Sequence, residues 1–225
     1  MGLRIWETDP DAAPKPRRQF ADVVGRFRSG YQVNNRPVAL QAWRVTTGDP
    51  HVAEVVAGLL GSENGAETWD TSGEDNLEIF TDADSVDIII DAPAALRSEM
   101  VLWGRAGAIR RCDGVTQHGE GGEGKSCECP MDFNGRKDAA KTGRGCAPSI
   151  TLFFTLADEP DLGRFKFVTG SWSMVRDLGA IEEALAAIDG PALARLRLEV
   201  VDYESEGRKK SFTKPVIEVL GPADA

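Results

Sequence analysis

Short runs in which apolar and polar residues alternate recur along the chain, and a two-residue period is that of a half-buried β-strand. The pattern predicts strands over 23–33 and 38–46, joined by a turn at Asn34-Asn35-Arg36-Pro37, and further strands over 77–81 and 86–90. Val86, Ile88 and Ile90 alternate there with Asp87 and Ile89. Strands over 100–104 and 108–112 form a predicted pair. Residues 149–156 and 164–169 form a hairpin around 158–163, and 196–204 pairs with 211–220 through a turn near Glu206-Gly207. Two segments show the helical period instead. Asp49 caps a helix with Pro50 at its first position and Val52, Val55, Val56, Leu59 and Leu60 on one face. Trp172, Val175, Leu178, Ile181, Leu185 and Ile188 mark a second helix, whose stripe is a core face and which Asp189-Gly190-Pro191 stops.

These elements predict an α+β fold: a mainly antiparallel sheet, or a partly open barrel of oligonucleotide-binding type, with two main helices and a zinc-stabilised loop. Residues 1–19, with Pro10, Pro14 and Pro16, read as an extended arm. Residues 20–220 read as a single domain containing a loop over 112–146, and 221–225 as a tail. With 225 residues and 41% hydrophobic content, the chain is long enough to bury such a core.

The formal charge of −10 is unevenly placed. Between Asp49 and Glu99 stand thirteen acidic residues against one basic residue, Arg97, so the rest of the chain is slightly basic. A solvated face is the ordinary reading of such a block, and a surface for a basic protein partner the sharper one. A protein that holds nucleic acid alone carries a basic surplus. Here the basic residues fall in small clusters: Lys15, Arg17 and Arg18; Arg105, Arg110 and Arg111; Arg208, Lys209 and Lys210. No run approaches the roughly 20 apolar residues of a membrane span, and the first twenty residues carry no export-type apolar stretch. A cytoplasmic protein is expected.

All four cysteines, Cys112, Cys127, Cys129 and Cys146, fall within 35 residues of a Gly-rich segment. In a reducing compartment that clustering points to one structural zinc, although the spacing lacks the paired Cys-x2-Cys knuckles of a zinc ribbon; two disulfides or four free thiols are the alternatives. His118 lies in the same loop as a substitute ligand or a solvated side chain. Four thiolates would close the coordination shell and leave no position for an activated water.

No catalytic pattern emerges, and no enzyme is expected. The segment from Gly119 to Gly124 lacks a following Lys-Ser/Thr and reads as a flexible tip; Gly170-Ser171-Trp172 lacks the second glycine of a nucleophile elbow. One binding alternative is a single-stranded DNA-binding or replication accessory protein with a structural zinc. It would stack bases on Phe27, Tyr31, Trp43 and Trp103 along a groove of Arg26, Arg28, Arg105, Arg110 and Arg111, residues whose aromatics otherwise belong to a core.

Six segments in combination carry a family resemblance: Ser29 to Asn35 (SGYQVNN), Ser98 to Gly104 (SEMVLWG), Arg110 to Val115 (RRCDGV), Cys127 to Pro130 (CECP), Gly145 to Pro148 (GCAP) and Thr169 to Ser173 (TGSWS). The chain resembles the recombination directionality factors of actinobacterial temperate phages that partner large serine integrases. The resemblance implies a phage- or prophage-encoded regulator that binds its integrase, a protein partner, and turns it from integration to excision, with DNA contacted indirectly or weakly. Trp6, Phe20, Met131 and Phe133 are the candidate partner anchors, each with local packing as the alternative.

Overall fold

The computed structural model describes residues 23–33, 36–91, 93–119, 121–205 and 207–223. The elements run β1 (Val23–Val33), β2 (Arg36–Thr47), α1 (Pro50–Leu60), β3 (Ala66–Thr68), β4 (Leu77–Phe80), β5 (Ser85–Ile90), β6 (Leu96–Gly104), β7 (Gly107–Cys112) and β8 (Gln117–His118). They continue with α2 (Phe133–Lys141), β9 (Ala147–Leu156), β10 (Arg164–Thr169), α3 (Trp172–Ala186), β11 (Ala192–Ser205) and β12 (Arg208–Pro222).

The strands form one sheet in the order β12-β11-β5-β9-β10-β1-β2-β4-β3. Among the described pairings only β1 with β10 is parallel. Strand β9 has β10 along one edge, and two strands share the other. β6 pairs with it from Leu96↔Leu152 to Val101↔Ala147, and β5 takes over at Ile89↔Thr155 and Ile88↔Leu156. The 3-10 turn Pro93–Ala95 lifts the chain out of line between them. The sheet therefore forks at β9: one branch continues through β5 to β11 and β12, the other through β6 to β7 and β8.

Pro148, Ile150, Leu152, Phe154 and Leu156 of β9 are buried, whereas Ser149, Thr151, Phe153 and Thr155 face outward. Around the inner row packs an aromatic cluster. Phe27 meets Trp43, Phe154 and Phe165 edge-on at ring separations of 5.6, 5.3 and 5.5 Å, and Trp43 meets Phe167 at 5.3 Å. T-shaped contacts of this kind add about 0.5–1.5 kcal/mol each beyond area burial. Two helices close over this core. α1 begins where the Asp49 carboxylate accepts from the His51 N–H at 2.8 Å, and buries Val52, Ala53, Val56 and Leu60. α3, capped by Ser171, buries Met174, Ile181 and Leu185.

Three expectations are refined. Among the described residues there are three helices, because FNGRKDAAK forms α2 without an apolar stripe; none of its residues is buried, and no hydrophobic period announced it. Of the two sheet arrangements expected, the open one is found: among the described residues no ladder joins β11 or β12 to β2. β2 nevertheless lies close to both strands, and the turn after β4 bridges them, where the Trp43 N–H donates to the Ala83 carbonyl at 2.9 Å and the Leu198 N–H to that of Asp84 at 2.7 Å. The helical stripes are also narrower than the period suggests. Leu59 is exposed, and Val175, Leu178 and Ile188 are half-buried while Met174 is fully buried.

The β5–β11 register is marked by Asp87 opposite Arg195, whose guanidinium donates twice to the carboxylate at 2.7 and 3.0 Å. The hydrogen bonds to Arg195 hold the Asp87 carboxyl below its ordinary range. A depressed carboxylate pKa adds stability that is fully present above the unfolded value of about 3.9 and is lost as pH falls through the native one. Asp87→Asn is expected to lower the urea midpoint slightly at neutral pH, and the difference from wild type should vanish in acid below that window. Ile181→Ala should destabilise by about 2–4 kcal/mol and Leu178→Ala by clearly less, as read from denaturation midpoints.

Candidate metal centre and interaction surfaces

The four cysteines converge where the β6–β7 branch meets the start of β9. Cys112 ends β7, and the next residue sets the turn: the Asp113 carboxylate accepts from the Val115 and Thr116 N–H groups, both at 2.7 Å. This turn brings the Val115 carbonyl to the Cys127 N–H at 2.6 Å, drawing the Cys127-Glu128-Cys129 segment back onto β7. α2 then begins at Asp132, whose carboxylate accepts from the Gly135 N–H at 2.7 Å, and returns the chain to Cys146 just before β9. Gly145 has a specific part here. A Cβ on it would stand 2.7 Å from Ala139 Cβ, so its lack of a side chain lets α2 lie close to the strand.

Cys112, Cys129 and Cys146 are buried with Met100, and Leu102, Cys127 and Trp172 pack against them. The Cys112 Sγ lies 3.3 Å from Cys127 Sγ and 3.9 Å from Cys146 Sγ, while Cys129 Sγ accepts from the Cys146 N–H at 3.3 Å. All four are free thiols. A tetrahedral ion with sulfur bonds of about 2.3 Å separates its ligands by about 3.8 Å, so the donor set suits zinc in kind and in scale. Among the described residues, however, no group of three or more His, Cys, Asp or Glu side chains is already arranged to hold a metal ion. Burial, followed by the hydrogen bond to Cys127, pushes the Cys112 thiol up to about 12, and burial raises Cys146. Burial also acts upward on Cys129, but the Cys146 N–H, the neighbouring thiols and Arg110 outweigh it and hold that thiol below its ordinary value. Arg110 Nη2 lies 3.5 Å from Cys129 Sγ, and its buried Nε has no hydrogen-bond partner among the described residues. Several thiolates gathered here would find in it a neighbouring positive charge.

The other candidates are dispersed. His118 stands on β8 and pairs with Glu99 at 3.2 Å, within a set that includes the Arg111–Glu99 ion pair. Trp6 and Phe20 lie outside the described residues. Met131 is 94% exposed. Phe133 packs edge-on against Trp172 at 5.4 Å with Arg176 over its ring at 4.7 Å, so it belongs to the wall of the cysteine cluster. Phe27 and Trp43 are fully enclosed in the core and present no face to a base. Arg110 is engaged by Glu128 at 2.5 Å. The segment near Gly119 folds into a turn in which the Gly122 N–H donates to the Gly119 carbonyl at 3.2 Å.

One surface feature escaped the sequence reading. β11 pairs with β5 only from Ala192 to Arg197; beyond β5 the β11–β12 hairpin passes close to part of β2 and runs on to a turn at Gly207, whose φ is +69°. On this ribbon Tyr203 and Phe212 meet edge-on at 5.8 Å while remaining 45% and 44% exposed. The alternation of this segment was legible in the sequence. Its projection past the sheet depends on where β5 ends.

Residues 24–220 match the Gp3-like family, described as recombination directionality factor-like. The chain belongs to the Gp3-like family. The match takes in the core strands, the cysteine cluster and the ribbon, and it places the protein in phage recombination with a recombinase as its class of partner. No solved structure matches the chain. Among the described residues of this Gp3-like protein, no helix is long and apolar enough to cross a membrane.

Because Gly145 permits the approach of α2, Gly145→Ala should force that helix off the cluster. A loss of about 1–3 kcal/mol is expected, together with faster alkylation of the buried thiols, read by denaturation and by mass spectrometry of iodoacetamide-treated protein.

Proposed function

We propose that this Gp3-like protein is a recombination directionality factor that binds a phage large serine integrase and switches it from integration to excision, with no catalytic step of its own. The observation that carries the reading is the family match over residues 24–220. Only differential affinity is required. A factor that binds one arrangement of the integrase 100-fold more tightly than another shifts that equilibrium by about 2.7 kcal/mol.

A projecting two-stranded ribbon with a half-exposed Tyr203–Phe212 pair is the kind of element that anchors such a contact. A few desolvated aromatic groups commonly carry most of an interface's energy. The exposed Met131 lies at the head of α2 and supplies a second anchor. The acidic balance of the chain suits a partner with basic DNA-binding surfaces, since opposite charge speeds encounter.

We further propose that Cys112, Cys127, Cys129 and Cys146 hold one structural zinc. When bound, the ion would tie the end of β7 and the start of β9 to the Cys127–Cys129 turn. The convergence of four free thiols beside Arg110 supports this. Elemental analysis of protein purified without added metal should return about one zinc per chain. Folded protein with four titratable thiols and no metal would remove the ion from the account. Cys129→Ser should lower the melting temperature and open the cluster to alkylation.

The functional test is recombination in vitro with the integrase encoded in the same genome. The protein should promote recombination between the hybrid attachment sites and inhibit integration. Tyr203→Ala with Phe212→Ala should weaken co-purification with integrase at least tenfold, because hot-spot truncations of this size exceed about 1.4 kcal/mol. An unchanged direction of recombination would refute the proposal.

A further inference from the structure

The outward face of the central strands carries a charge opposite in sign to that of the chain as a whole. Phe153 on β9 points away from the core, and Arg97 of β6 and Lys166 of β10 lie over its ring at 5.2 and 5.6 Å. On the same face Arg26 of β1 is the register partner of Lys166, and its guanidinium is already paired with Asp75 at 2.7 Å. Toward β7 the groove continues to Trp103, 58% exposed, with Arg111 at 5.9 Å from its ring centre. The open depression along β6, β9 and β10 measures about 680 Å³, and among the described residues Glu99 is its one acidic wall residue. Burial, and after it the neighbouring charges of Arg26 and Arg97, lower the Lys166 pKa, so these cations stand close enough to oppose one another.

We propose that this face binds single-stranded nucleic acid, with bases stacked on Phe153 and Trp103 and phosphates against Arg97 and Lys166. Aromatic rings interleaved with cations on an open sheet face meet both requirements of such a ligand: a π-surface that any base can use and positive charge that tracks a flexible backbone. An anion arriving here relieves repulsion among cations already crowded together. Duplex DNA fits poorly, because its bases are stacked on one another and cannot lie on Phe153. The aromatic platform differs from the one the sequence offered as an alternative: Phe27 and Trp43 are enclosed in the core, and Phe153 stands beside Trp103 instead.

The test uses the full chain without any recombinase, so that its outcome is independent of the directionality reading. Fluorescence anisotropy with an oligothymidylate of about 16 nucleotides at low salt should show saturable binding with a negative salt slope. Phe153→Ala and the bulk-preserving Phe153→Leu should each weaken it about tenfold, the loss of one base stack. Arg97→Gln combined with Lys166→Gln should flatten the log–log salt slope by about 1.4, the value for two phosphate contacts on a single strand. Thermal melts confirm that each variant remains folded. The proposal is overturned if wild-type protein does not bind, if duplex DNA or an oligoglutamate of matched charge binds as tightly, or if folded variants bind like wild type.

Discussion

Strand β9 is the constraint on which the remaining architecture depends. Its inner row seats against the Phe27, Phe165 and Trp43 cluster, which fixes its register with β10 and so fixes β1 beside them. A one-residue slip would turn Ile150, Leu152 and Phe154 outward and bring Thr151 and Phe153 into the core, an exchange the packing cannot absorb. With β9 fixed, its free edge has room for two strands in succession, and the Pro93–Ala95 turn assigns that edge first to β5 and then to β6.

The fork created there separates two tasks. One branch leads through β5 to the long hairpin, whose outer half leaves the sheet and presents Tyr203 and Phe212. The other leads through β6 and β7 to Cys112 and returns, by way of the Cys127–Cys129 turn and α2, to Cys146 at the root of β9. A segment with no buried helical residue is thereby held at both ends by the sheet, and the thiols between them close its interior. Stability in this corner rests on small groups placed closely: an Asp113 turn, an Asp132 cap, a bare Gly145 and the Phe133–Trp172 contact.

Charge is divided in the same way. The acidic stretch from Asp49 to Glu99 is partly neutralised within the sheet, where Asp75 pairs with Arg26, Glu78 with Arg44, Asp87 with Arg195 and Glu99 with Arg111. On the outer face between β6 and β1, Arg97 and Lys166 stand around an outward phenylalanine. A net charge of −10 and a locally cationic groove coexist because sheet pairing sets sequence-distant residues side by side.

Local chemistry by itself determined much of the secondary structure. Alternation marked β1, β5, β9 and β10 because one face of each is buried, and the Asp49-Pro50 start of α1 was readable because capping depends on adjacent residues. The clustering of the cysteines and the combination of motifs around them also lay in the sequence, and they led to the family that residues 24–220 match. What the sequence left open depends on long-range pairing. α2 forms on a cap and tertiary anchoring where no apolar period exists, and Leu178 is only half-buried because the core is narrower than the stripe. The open sheet, the ribbon that outruns β5 and the Phe153 groove were decided by which strands meet and in what register, since a side chain's facing is local but its neighbours across a sheet are not.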